Sequence, residues 1–185
     1  MTAKTRVVLV DDHALVRAGV RLLINAQPDL EVVGEAGQAA EVLPVSRQHQ
    51  PDVVVLDLSL PGGPSLPLIR ELQTLGSHPQ VLILSMHDDP AYVRAALGAG
   101  ARGYVVKTLN VDDLLQAIRD VARGRLVIDL DDPELTASVF QTIGRGRPHE
   151  VGRSRLSQRE EQVLRLLSQG HSNLDRKSTR LNSSH

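Results

Sequence analysis

Short runs of β-branched and aliphatic residues alternate with longer stretches whose apolar positions recur at helical spacing. The strand-like runs fall at 6–10, 31–35, 52–57, 80–85 and 103–106, and the helical stretches near 14–26, 38–48, 65–75, 90–98 and 111–123. Five such alternations predict a parallel sheet covered by helices on both faces. Right-handed crossovers and short connections make that a doubly wound sandwich of the α/β class. One local disturbance is expected: Pro64 suits a first helical turn, whereas Pro67 should delay or distort the third helix.

Past Gly124 the pattern thins. Arg125–Asp129 has the composition of a short extra strand, and Pro133 to about Ile143 that of a linking helix. Gly144-Arg145-Gly146-Arg147-Pro148 then breaks regularity, as a connection does. Ser157-Gln158-Arg159-Glu160 reads as a capping box opening another helix, with Val163, Leu164, Leu166 and Leu167 as its apolar stripe and Gly170 as its stop. The final residues 175–185 offer a single apolar side chain, Leu181, too little for a packing face.

Composition narrows the classes. The 185 residues contain no cysteine, which removes disulfides, thiolate metal sites and thiol catalysis. No apolar run approaches the roughly 20 residues of a membrane span, so a soluble, cytoplasmic protein is expected. The net charge of −1 conceals an asymmetry: residues 1–140 hold 12 Lys/Arg against 18 Asp/Glu, and residues 141–185 hold 9 against 4. An acidic front and a basic back suggest two domains, the second facing an anion. A solvated basic linker would give the same balance.

The chemistry gathers at strand ends. Asp11 and Asp12 follow the first run, Asp57 the third, Ser85 closes the fourth, and Lys107 follows the fifth. In doubly wound sheets, ligands bind beyond the carboxyl ends of the strands, so the fold should bring these groups into one crevice. Neighbouring carboxylates repel and favour a proton or a hard divalent cation; Mg²⁺ fits because it takes carboxylate oxygens, keeps waters and bridges to phosphate. Asp57 then suits a nucleophile toward a phosphoryl group, with Lys107 offsetting charge on the transferred oxygens and Ser85 offering a hydroxyl. Taken singly, each residue has a plainer explanation: a helix cap for Asp11-Asp12, a turn for Asp57, a strand-end hydroxyl for Ser85, a surface charge for Lys107.

Together, Val10-Asp11-Asp12-His13, Val54-Val55-Leu56-Asp57-Leu58-Ser59-Leu60-Pro61-Gly62, Ile83-Leu84-Ser85 and Gly100-Ala101-Arg102-Gly103-Tyr104-Val105-Val106-Lys107 resemble the receiver domain of bacterial two-component response regulators over about residues 5–123. The resemblance implies a flavodoxin-like, five-stranded sheet of order 2-1-3-4-5. It also implies that Asp57 is the phosphoacceptor for a sensor histidine kinase, and that Asp12 and Asp57 are direct Mg²⁺ ligands. Asp11 is then an acidic partner acting largely through water, the Ser59 backbone carbonyl completes the protein ligands, and Lys107 contacts the phosphate. Ser85 and Tyr104 are the switch pair, hydroxyl and aromatic. The stretch Leu156 to Gly170 resembles the first helix of a LuxR-type helix-turn-helix, which points to the NarL/FixJ class of DNA-binding transcription regulators that dimerise.

The expected organisation is therefore a receiver at 5–123, a linker at 124–154, the start of an incomplete all-α helix-turn-helix at 155–174, and a disordered or foreign tail at 175–185. With no second apolar helix after Ser172-Asn173, specific DNA binding by this chain is not expected, since base readout needs a recognition helix. Three other classes compete. A haloacid-dehalogenase-type phosphatase needs a second Asp two residues past the first, where Ser59 stands, so an enzyme acting on outside substrates is not expected. A stand-alone receiver acting by protein contact or as a phosphate sink fits the front of the chain equally well. A nucleotide-binding module would need a glycine loop after the first strand, where Asp11-Asp12-His13 sits instead. The histidines, His13, His49, His78, His87, His149, His171 and His185, show no metal-binding spacing.

Overall fold

Val53-Val54-Val55-Leu56 explains the architecture most economically: all four side chains are buried, and they alternate between two separate apolar clusters. A strand buried on both faces must lie inside a sandwich. The computed structural model describes residues 3–63, 65–108, 110–130 and 132–145. It runs β1 (Thr5–Val10), α1 (Ala14–Asn25), β2 (Leu30–Ala36), α2 (Ala39–His49), β3 (Val53–Leu56), α3 (Ser65–Gln73), β4 (Gln80–Ser85), α4 (Pro90–Gly98), β5 (Gly103–Val106), α5 (Val111–Ala122), β6 (Val127–Asp129) and α6 (Pro133–Arg145). The predicted helix-turn-helix start at 155–174 and the tail at 175–185 lie outside the described residues.

One sheet joins all six strands in the order β2-β1-β3-β4-β5-β6, and every pairing is parallel. On one face, α2, α3, α4 and α6 cover Val8, Val10, Val54, Leu56, Val81 and Ile83. On the other, α1 and α5 cover Val7, Leu9, Val53, Val55, Leu82 and Leu84. The order reverses at β1, whose neighbours are β2 and β3, so the carboxyl ends of β1 and β3 flank a crevice.

Two expectations need correction. The sheet has six strands, not five: the weak strand signal at 125–129 becomes β6, paired with β5 through Gly103↔Val127, Tyr104↔Ile128 and Val105↔Asp129. Ile128 and Leu130 bury beside it, and Val139 of α6 is buried against the same cluster. Gly103 makes the close approach possible, since a Cβ there would lie 2.5 Å from the Leu82 side chain and 2.8 Å from that of Val121. Pro67 neither delays nor displaces α3, which starts at Ser65. Pro67 is the third helical residue, where a backbone N–H has no intrahelical partner to lose.

Candidate phosphoacceptor site

Each side chain of the site is placed by the end of a strand. Asp11 follows β1, with its amide donating to the Ala36 carbonyl at 3.2 Å; Asp57 follows β3, with its amide donating to Val10 at 2.9 Å; Lys107 follows β5, with its amide donating to Ser85 at 2.8 Å. The parallel ladder thus continues one residue past the strands and sets three chain-distant side chains over a single edge.

Lys107 joins them. Its ammonium donates to Asp11 Oδ2 at 2.6 Å and to Asp57 Oδ2 at 2.7 Å, and both carboxylates are buried. Burial pulls the Lys107 ammonium toward neutrality, but its hydrogen bonds to Asp11 and Asp57 outweigh this and hold its pKa above the ordinary lysine value. The second oxygens are also engaged: Asp57 Oδ1 accepts from the Ser59 amide at 2.9 Å, and Asp11 Oδ1 accepts from the His13 amide at 2.7 Å. Asp12 is exposed at the rim, its Oδ1 2.8 Å from His13 Nδ1. Ser59 is exposed beside it.

Three carboxylates gather here, and the Lys107 ammonium bonds two of them. Asp11, Asp12, Asp57 and the His13 ring each offer a ligand atom, all within 4.8 Å of one another. That donor set fits a hard divalent cation: oxygen ligands dominate, and the excess negative charge calls for one. The cluster corrects one expectation. His13 belongs to it, although the spacing of the histidines gave no sign of this. The cap position of α1 is also His13, whose side chain makes no capping bond.

Ser85 and Tyr104 lie on adjacent strands, paired Ser85↔Val106 and Ile83↔Tyr104, and both side chains are fully buried. The Ser85 hydroxyl accepts from the His87 amide at 3.2 Å, while the Tyr104 hydroxyl donates to the His87 carbonyl at 2.8 Å. Both side chains therefore hold the same peptide segment. The His87 ring stacks on Tyr92, centroids 5.1 Å apart and planes 15° from parallel. Burial raises the Tyr104 phenol well above its ordinary value, only partly offset by the neighbouring Ser85 hydroxyl, so it acts as a neutral donor.

Arg17 was not singled out by the sequence. Its guanidinium donates to the Asp11 backbone carbonyl and, through Nε at 3.1 Å, to Glu35 on β2. The available signal was slight: a basic residue one turn into the helix that follows an acidic pair.

Comparison with known proteins agrees with this geometry. Residues 7–119 match the family model of the response regulator receiver domain. The chain is 37% identical over 175 residues to the oxygen regulatory protein NreC of Staphylococcus carnosus, covering 91% of this chain and 79% of that protein. It is 30% identical over 186 residues to the transcriptional regulatory protein DegU of Brevibacillus brevis, covering 92% and 77%. Among solved structures, a LuxR-family two-component response regulator from an Aurantimonas species superposes with a TM-score of 0.68 at 35% identity, over 77% of this chain and all of that one. Among the described residues, no helix is long and apolar enough to cross a membrane. The chain belongs to the two-component response regulators of the NarL/LuxR family, and its residues 7–119 are the receiver domain.

Proposed function

We propose that Asp57 accepts a phosphoryl group from a sensor histidine kinase in a Mg²⁺-dependent reaction in the cytoplasm, and that in intact members of this family the resulting change controls transcription through a C-terminal DNA-binding domain. The observation that carries this reading is the buried Lys107 ammonium bridging Asp11 and Asp57 at 2.6 and 2.7 Å. A carboxylate so placed is held rigid and has a fixed cation beside it, ready for incoming phosphoryl oxygens.

In the step itself, one Asp57 carboxylate oxygen forms a bond to phosphorus as the donor's P–N bond breaks, and the electron pair stays on the donor imidazole nitrogen. Lys107 stays at the reacting edge, moving from two carboxylates toward the new phosphoryl oxygens. Asp12, Asp57 and the Ser59 carbonyl would hold the cation, with Asp11 acting through water. When bound, Mg²⁺ supplies charge neutralisation on the phosphoryl oxygens. The Ser85 hydroxyl then turns toward the phosphoryl group and releases the His87 amide. Tyr104 holds the carbonyl of that same residue, so the β4–α4 loop reports the change to α4 and to α6 packed beside it. A homodimer formed on phosphorylation is part of the same reading.

The test is incubation of the full chain with Mg²⁺ and acetyl phosphate, followed by intact mass. The native chain is expected to gain one phosphoryl mass that neutral hydroxylamine removes, and Asp57→Ala is expected to gain none. An unmodified native chain, or an equally modified variant, overturns the assignment.

A further inference from the structure

We propose that Arg17 is a positioning residue for the acidic pair, holding the Asp11–Asp12 peptide so that the Asp12 carboxylate faces the cation. This rests on the Mg²⁺ reading above and assigns a role within it to a residue outside the carboxylate cluster.

The Asp11 side chain is fully committed, Oδ1 to the His13 amide and Oδ2 to Lys107. The Oδ1 bond closes a turn across Asp12, but neither bond holds the carbonyl of the peptide that leads on to Asp12. Arg17 does so, donating through Nη1 to the Asp11 carbonyl, which belongs to that peptide. Asp12 needs such help, because the described contact of its exposed carboxylate is with the exposed ring of His13. Its direction is therefore inherited from the backbone. Two adjacent carboxylates repel, and an unrestrained peptide would rotate to separate them.

A guanidinium beside a cation site would ordinarily oppose the cation. Here Glu35 offsets part of that charge, accepting from Arg17 Nε through Oε2 and from Arg21 Nη1 through Oε1, both at 3.1 Å. What Arg17 contributes is geometry. Its planar fork spans a carbonyl just past β1 and a carboxylate on β2, which the single ammonium of a lysine does not reproduce.

The experiment is a Mg²⁺ titration of the uniformly ¹⁵N-labelled full chain, following the His13 and Ser59 amides. The native chain is expected to bind Mg²⁺, and Arg17→Ala and Arg17→Lys to bind on the order of tenfold more weakly, the usual cost of losing a residue that orients a metal ligand. Arg21→Ala, which shares Glu35 but does not touch Asp11, should keep the native affinity. Phosphorylation of Arg17→Lys by acetyl phosphate should recover when Mg²⁺ is raised to saturation. A purely structural role would lower thermal stability and leave the Mg²⁺ affinity unchanged. Native affinity in both Arg17 variants overturns this proposal alone; a native chain that binds no Mg²⁺ overturns the underlying reading as well.

Discussion

Two ion-pair clusters sit at opposite ends of the sheet, and both tie together parts of the chain far apart in sequence. At the carboxyl end, Lys107 bonds Asp57 and Asp11, 50 and 96 residues away. At the amino end, Arg119 of α5 clasps Asp29, 90 residues away, through Nε at 2.7 Å and Nη2 at 2.9 Å, with Gln27 as a further acceptor at 3.1 Å. Their surroundings differ. The Asp57 side chain is 3% exposed and that of Asp29 is 47% exposed. Stoichiometry differs too: Lys107 bonds two carboxylates with Asp12 as a third beside them, whereas Arg119 bonds one. Buried and unbalanced charge is costly, so the first cluster has an appetite for a cation or a proton; the second is balanced, wet and finished. The same residue types therefore make a reactive site at one end and a staple at the other.

Removing Lys107 is the strongest way to break this comparison. Lys107→Met leaves two buried carboxylates facing each other without their ammonium, and the expected loss of stability is on the order of 3 kcal/mol by urea unfolding at neutral pH. Millimolar Mg²⁺ should return part of it, because the cation replaces the missing charge. A variant with native stability in the absence of Mg²⁺ would mean that the two ends do not differ as described.

Ser46 tests the premise that burial without partners is costly here. Its hydroxyl is fully buried on α2 with no hydrogen-bond partner among the described residues, whereas the equally buried Ser65 donates to the Leu58 carbonyl at 2.9 Å. Ser46→Ala should raise stability by roughly 1 kcal/mol and Ser65→Ala should lower it by a similar amount. Equal effects of the two changes in urea unfolding would weaken the case for costly burial at the carboxyl end.

What the sequence made legible follows from the same physics. Parallel strands all deliver their last residues to one edge, so Asp11, Asp57, Ser85 and Lys107 could be gathered from periodicity and spacing alone. The continuous apolar run of β3 announced burial on both faces. β6 was only a weak signal, because three residues carry little pattern and its place depends on Gly103 letting neighbouring side chains close in. The onset of α3 was misjudged because a proline's effect depends on which helical turn it occupies, and the turn is set by the Ser65 start. Arg17 escaped notice and His13 was set aside for a further reason. Periodicity tells which way a Cβ points, but not where a guanidinium ends up after four bonds or whether a ring lies over its neighbours' carboxylates.

The amino-end pair should respond least, and its pH dependence sharpens the contrast. The hydrogen bond from Arg119 holds the Asp29 carboxyl below its ordinary value of 3.8, and Arg119 is correspondingly raised, so it stays charged across the accessible range. A depressed carboxyl contributes stability that is present above the unfolded value and is lost as pH falls through the lower folded one. Arg119→Ala should therefore cost about 0.5 kcal/mol near pH 6. That cost should shrink toward zero as the pH falls below about 4, where Asp29 protonates in the variant first and in the native chain later. Salt at 0.5 M, about the level at which the screening length drops below 5 Å, should halve it or more, while leaving the loss in Lys107→Met largely intact. Urea unfolding of both variants at two pH values and two salt concentrations checks this. An Arg119→Ala cost that exceeds that of Lys107→Met, or that grows on acidification, would reverse the assignment of which end is the staple.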